Sequence, residues 1–215
     1  MALCLPTRLA FVDIETTGAR PTCDAITEIA IIRIEDGVET ARWQSLIHPG
    51  RRIPPWIVHL IGITDAMVAD APPFAEVADT VATLLAGCVF VAHNVRFDHV
   101  FLRNAFAALE HGEISAMDDE VAPMNSPMLC TLRLARALYP GYRHHGLDAL
   151  IARHGLACAA RHRAMGDADA IWQFVQLAAR DHSEAIMQAA LRRAMDSGAE
   201  KKRRQRVLRL AGVRP

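Results

Sequence analysis

The apolar run Leu9-Ala-Phe-Val-Asp-Ile-Glu-Thr-Thr-Gly18 ends in two carboxylates and a turn. Side chains alternate between faces along a strand, so Asp13 and Glu15 project to one side while Ile14 turns into the core. Like charges held this close repel and raise a pKa unless a cation neutralises them, so the pair is a candidate half-site for a hard divalent metal. A solvated strand end is the competing reading of this pair alone. A second stretch, Val91-Ala-His-Asn-Val-Arg-Phe-Asp98, runs from an apolar strand through a polar turn into a helix. Such junctions are where α/β sheets place their sites, although Asp98 or Asn94 in the first turn would also serve as a helix cap. A third stretch, His162-Arg-Ala-Met-Gly-Asp-Ala-Asp169, puts a histidine five residues before an acid. Five residues are about 1.4 helical turns, so both side chains reach one cleft if His162 lies at the helix start. Histidine is the side chain suited to take a proton near neutral pH.

The elements that must hold these residues follow from periodicity. Strands are expected at Arg8 to Glu15, Thr27 to Ile34 and Glu39 to Ile47, with Asp36-Gly37 as a hairpin turn between the last two. Trp56 to Leu60 reads as a short helical turn. Phe74, Val77, Val81, Leu84 and Leu85 fall at helical spacing after Ala71-Pro-Pro73, and Gly87 supplies the stop. Cys88 to Ala92 suits a buried strand, Val95 to Leu109 a helix, and Met128 to Thr131 a last short strand. Helices are expected at Leu132 to Leu138, Leu147 to His154, Ala164 to Ala179 and Ser183 to Met195, and a polar surface loop from His111 to Pro127. Leading strands followed by interleaved helices predict an α/β fold, a mixed sheet flanked by helices.

At 215 residues with 52% hydrophobic content, the chain can bury a full core as one domain with a terminal extension. No apolar run reaches the ~20 residues that span a bilayer, and the first residues do not read as a signal peptide. The five cysteines are scattered without a Cys-x-x-Cys, which argues against a disulfide framework or a zinc knuckle and for a structural role in a reducing cytoplasm. The net charge of zero conceals a split. Residues 200–215 hold seven Lys/Arg against one Glu, which leaves the remaining body with 17 basic and 23 acidic side chains. Such a body does not bind nucleic acid through global charge; a polyanion would be held locally, with metal ions covering part of the acidic excess.

Together the three stretches resemble the DEDD superfamily of 3′–5′ exonucleases in its DEDDh (DnaQ-like) branch, whose members include the epsilon proofreading subunits of bacterial DNA polymerase III. The carrying residues are Phe-Val-Asp13-Ile-Glu15-Thr-Thr-Gly18, Ala-His-Asn94-x-x-Phe97-Asp98 and His162-x-Ala-x-x-Asp167, in the family's order and with its His-to-Asp gap. Supporting stretches are Gly62-Ile-Thr64, Ala71-Pro-Pro-Phe74, Cys130-Thr-Leu-Arg-Leu-Ala-Arg136 and Gly146-Leu-Asp-Ala-Leu150, so the resemblance covers roughly residues 7–180. It implies an RNase H-like fold, an exonuclease domain over residues 1–180 and a C-terminal helical and basic extension over 181–215.

The resemblance further implies that Asp13, Glu15, Asp98 and Asp167 hold two divalent ions, Mg²⁺ or Mn²⁺, and that His162 is the general base. Thr16, Thr17 and Gly18 match the turn that meets the terminal nucleotide, and Asn94 and Phe97 match positions beside it. The implied activity removes nucleoside monophosphates from a single-stranded or frayed 3′ end of DNA. An exoribonuclease of the same branch and a non-hydrolytic nucleic-acid or polymerase-binding module are the alternatives. Asp169, two positions past Asp167, falls on another helix face and is left out. His144 and His145 read as surface or capping residues, and Trp43, Trp56 and Trp172 as packing. The block Lys201-Lys-Arg-Arg-Gln-Arg206 is a solvated tail or an arm for a polyanion or a polymerase subunit.

Overall fold

The computed structural model describes residues 5–110 and 123–196. Most of the expected 111–127 loop and the basic block after residue 196 lie outside the described residues. The chain opens with a meander of β1 (Arg8–Thr16), β2 (Ile26–Glu35) and β3 (Val38–Leu46). β1 and β2 pair antiparallel, as do β2 and β3. The hairpin turn between β2 and β3 places Asp36 at φ 49° and Gly37 at φ 82°, the left-handed pair that Asp-Gly tolerates best. Two short helices follow, α1 (Pro55–Ile61) and α2 (Asp65–Val68), and then α3 (Phe74–Leu85) leads into β4 (Val89–Ala92). Beyond α4 (Arg96–Glu110) come β5 (Met128–Cys130), α5 (Thr131–Leu138), α6 (Leu147–His154), α7 (Ala164–Asp181), α8 (Glu184–Ala194) and the two-residue edge strand β6 (Met195–Asp196).

The strands form one sheet in the order β3-β2-β1-β4-β5-β6. β4 runs parallel to β1 and to β5, so the sheet is mixed. Both faces of the centre are covered. On one side Leu9 and Phe11 of β1 and Ala30, Ile32 and Ile34 of β2 meet α5, α6, α7 and α8. On the other, Ala10, Val12 and Ile14 with Ile29 and Ile31 meet α3 and α4. That two-sided burial explains why β1 and β2 read as near-continuous apolar runs.

α7 is the main buttress. Its buried stripe is Ala164, Ala168, Ile171, Val175 and Ala178, with Trp172 lying 5.0 Å from Phe11 between ring centroids. The small alanines at its start let the helix lie close to β1 and β2. Ile171, Phe174 and Val175 are fully buried, and each such side chain contributes about 1.5–3 kcal/mol.

Three details depart from the sequence expectations. Trp56 on α1 is 62% exposed rather than packed, because the buried face of that helix is Ile57 and Ile61. A 3₁₀ turn, Pro123–Asn125, occupies part of the stretch read as loop. β6 was not expected at all, and it pairs antiparallel with β5 after α8 has packed on the same core as α7. No described helix is long and apolar enough to cross a membrane.

Candidate active site

β1 carries the first two acids beyond its pairing with β4, which ends at Phe11 and Val91. Asp13 and Glu15 therefore stand at the open end of the sheet, on the α7 side. Asp98 comes from the first turn of α4, directly after β4. Asn94 turns the chain at φ 69°, a conformation asparagine tolerates better than most residues, and its carbonyl accepts the Phe97 N–H at 2.9 Å. Asp98 is only 3% exposed, with the Ile14 main-chain N–H hydrogen-bonded to its carboxylate.

The third contribution comes from the start of α7. Asp167 lies on the buried side of the helix, 5% exposed, because it falls one turn after Ala164 on the stripe that faces the sheet. His162 precedes the helix in a left-handed conformation at φ 56°. One ligand atom each from Glu15, His162 and Asp167 lies within 4.8 Å of the others.

The electrostatics of this cleft are those of crowded, dehydrated acids. Burial pushes the Glu15 carboxyl up to about 8, and the charges of Asp167 and Glu28 add to the shift. Asp98 is likewise pushed up to about 8, by burial first. Asp13 rises well above the ordinary carboxylate range, through burial and then through the charges of Asp98, Asp167 and Glu15. Asp13 thus faces the charge of the other three acids, and Glu15 and Asp167 group most tightly, together with His162. An oxygen-only donor set of this charge fits hard divalent cations.

A cation from the chain itself already leans on the cluster. Arg161 donates from Nη1 to Asp167 Oδ2 and from Nε to Asp148 Oδ1. Neither Arg161 nor Asp148 was singled out from the sequence, although Arg161 adjoins His162 and Asp148 lies in the Gly-Leu-Asp stretch. The Cys158 thiol also approaches Asp167, at 3.8 Å from Oδ1. Burial raises the pKa of that thiol, so it stays protonated and acts as a weak donor.

The turn after Glu15 is closed from within. Thr16 Oγ1 donates to the Gly18 carbonyl at 2.6 Å, and Thr17 Oγ1 accepts from the Ala25 N–H at 3.0 Å. A Cβ on Gly18 would meet the Asp24 carboxylate at 2.6–2.8 Å, so any side chain there would have to displace Asp24 from its place against the loop. Asn94 is exposed at the mouth of the site. Phe97 is half-buried and packs on Phe101 with ring centroids 4.9 Å apart.

Among the neighbouring polar residues, burial lowers His93 to about 4, and its Nδ1 meets Thr131 Oγ1 at 3.1 Å, so it is a neutral packing histidine. His145 donates from Nε2 to the Tyr139 carbonyl at the end of α5, the capping role expected of it, and His144 is exposed. Asp169 turns away to Arg42 at 2.8 Å. Glu28, directly across from Glu15 on β2 and fully buried, forms an ion pair with the partly exposed Arg163, directly after His162, that the sequence did not announce.

Comparison with known proteins places this geometry. The sequence profile of the exonuclease family, RNase_T, matches residues 10–174. The 3′–5′ exonuclease DinG of Bacillus subtilis is 37% identical over 163 residues, 75% of this chain and 16% of that protein. A PolC-type DNA polymerase III of Oceanobacillus iheyensis is 34% identical over 168 residues, 76% of this chain and 11% of that protein. The chain thus spans a small fraction of these curated relatives. Among solved structures, exonuclease X in complex with 5′ overhanging duplex DNA superposes with a TM-score of 0.60 at 27% identity, covering 85% of this chain and 99% of the other. Exonuclease I with a dA16 oligonucleotide superposes at 0.71 and 21% identity, covering 86% and 43%, a likeness of fold. With the profile running from β1 through most of α7, and so through every acid of the cleft, the chain belongs to the exonuclease family.

Proposed function

We propose that this protein is a metal-dependent 3′–5′ exonuclease that removes nucleoside monophosphates from DNA 3′ ends. The observation that carries the proposal is the convergence of Asp13, Glu15, Asp98 and Asp167 from three separate elements, with His162 beside Glu15 and Asp167. These four carboxylates would hold two divalent ions, Mg²⁺ or Mn²⁺. Such a pair supplies an activated water, an oriented phosphate and stabilisation of the leaving oxygen.

The chain's own residues complete the chemistry. A ring nitrogen of His162 accepts the proton that water loses as its oxygen bonds to phosphorus; the bond from phosphorus to the 3′ oxygen breaks, and that oxygen is protonated from solvent. The Thr16-Thr17-Gly18 turn meets the terminal nucleotide, Asn94 stands at the mouth, and Phe97 offers its outer edge to a base. DNA is favoured over RNA because the relatives above 30% identity include PolC-type DNA polymerases III. The unit over residues 1–180 is the exonuclease, and the extension over 181–215, whose α8 and β6 seat on the core, offers its basic block to a polyanion or a polymerase subunit.

A time course tests this on 5′-labelled single-stranded DNA, a mismatched primer–template and matched RNA, with Mg²⁺, Mn²⁺ or chelator. A ladder shortening from the 3′ end, abolished by chelator and by Asp13→Ala, is the expected result. Unchanged turnover in folded Asp13→Ala would overturn the assignment, and faster cleavage of RNA than of DNA would overturn the choice of sugar.

A further inference from the structure

Glu28 is an acid beside the cleft that the proposed chemistry leaves unused, and its surroundings differ from those of Glu15 across from it. It has no solvent exposure, although a lone buried carboxylate is costly unless it is paired and hydrogen-bonded. Every donor it finds but one comes from the two residues after His162. Arg163 Nη2 donates to Oε1 at 2.7 Å and Arg163 Nε to Oε2 at 3.1 Å, the forked geometry that guanidinium and carboxylate favour. The Ala164 main-chain N–H donates to Oε2 at 2.9 Å, and Gln44 Nε2 reaches Oε1 at 3.4 Å.

These contacts have a particular place in the fold. Arg163 is the N-cap position of α7 and makes no side-chain cap of its own, so the first N–H groups of the helix need acceptors from elsewhere. Glu28 supplies one from the sheet, where its negative charge also suits the helix N-terminus. The Arg163 carbonyl accepts the Asp167 N–H at 3.1 Å, so the residue gripped by Glu28 is also the one that starts the turn carrying Asp167. On its other side lies His162 at φ 56°, a left-handed conformation uncommon for a residue with a side chain.

We propose that Glu28 and Arg163 are positioning residues: their forked ion pair locks the left-handed turn at His162 and the first turn of α7, and so holds His162 and Asp167 in one geometry against Glu15. The proposal rests on the exonuclease reading for its kinetic consequence and on geometry alone for its structural one. Glu28→Gln is the main variant, since Arg163 is partly exposed and can hydrate its charge when released. Arg163→Lys keeps the charge but loses the fork.

The full-length chain is measured in two ways. Steady-state cleavage of labelled single-stranded DNA separates kcat from KM. Imidazole ¹H–¹⁵N spectra without substrate, assigned through His162→Gln, report the His162 environment. In Glu28→Gln kcat falls about 10- to 100-fold, while KM stays within about threefold. The His162 resonances shift or broaden, Arg163→Lys lies between, and Glu28→Gln/Arg163→Met is no slower than Glu28→Gln because one clamp is lost only once. Unchanged His162 resonances, a kcat within about threefold of wild type, or additive losses in the double variant would each overturn the proposal. If wild type itself fails to cleave, the exonuclease reading falls while the spectra still decide the clamp; if Glu28→Gln does not fold, Arg163→Lys carries the same two readouts.

Discussion

Glu15 and Glu28 sit directly across from one another on β1 and β2, on the same face of the same sheet, and the chain treats them in opposite ways. Around Glu28 it assembles a guanidinium fork, a helix N–H and an amide, so the buried charge is matched inside the protein. Around Glu15 it assembles more acids, and burial drives the carboxyl up to about 8. A buried acid that the fold satisfies is a fastener. One that the fold crowds with its own kind is waiting for a cation from outside, and Arg161 leaning on Asp167 shows how readily the cluster draws one.

The contrast is broken most directly by exchanging the two losses. Glu15→Gln should reduce cleavage by about 10³-fold while leaving the thermal midpoint of the metal-free protein unchanged or raised, because an amide of the same shape replaces a buried carboxyl crowded by other acids. Glu28→Ala should instead cost about 1–3 kcal/mol of stability in urea titrations, since it leaves the buried Ala164 N–H at the start of α7 without its acceptor. A Glu28→Ala protein as stable as wild type would erase the distinction.

The pH dependence of the metal-free protein sharpens it next. Glu15 and Asp98 keep protons up to about 8 in the folded state and lose them near ordinary carboxylate values when unfolded. Between those limits the folded chain binds more protons than the unfolded one, so stability falls as pH rises through the window. Mn²⁺, which binds the ionised acids, should flatten or reverse that slope. Melting curves from pH 5 to 9, with chelator and with Mn²⁺, measure both; a metal-free midpoint that rises across the window would contradict the assigned crowding. The smallest expected effect is at the edge of the clamp. Gln44→Ala removes only the 3.4 Å contact to Glu28, and a loss above about 1.5 kcal/mol would mean that Gln44 is part of the fastener.

Much of this architecture was legible along the chain. The alternation of β1, the Asp36-Gly37 turn, the helical spacing from Phe74 to Leu85 and the His-to-Asp gap are local patterns, and each became an element within a residue or two of its expected ends. Asp13 and Glu15 were legible as a pair on one strand face, whereas Asp98 and Asp167 were drawn to them by the resemblance to the exonuclease family. Trp56 was misjudged, since a large aromatic is usually buried and only the packing of α1 through Ile57 and Ile61 shows that this one is not. β6 escaped notice because two residues carry no period of their own and pair only after α8 has brought them to β5.

By itself, then, the sequence determined the order of elements, which depends on periodicities of two and 3.6 residues, and named the candidates for chemistry through motifs that resemble the family's. The tertiary structure alone decided that Arg161 would bridge Asp148 and Asp167, that the Asp24 carboxylate would lie against Gly18, and that Glu28 would grip Arg163. Those outcomes depend on how α7 lies across β1 and β2 and on how the loops fold back. A charged residue does not carry in its own type the identity of a partner more than a hundred positions away, because that choice is made by the packing of the whole core.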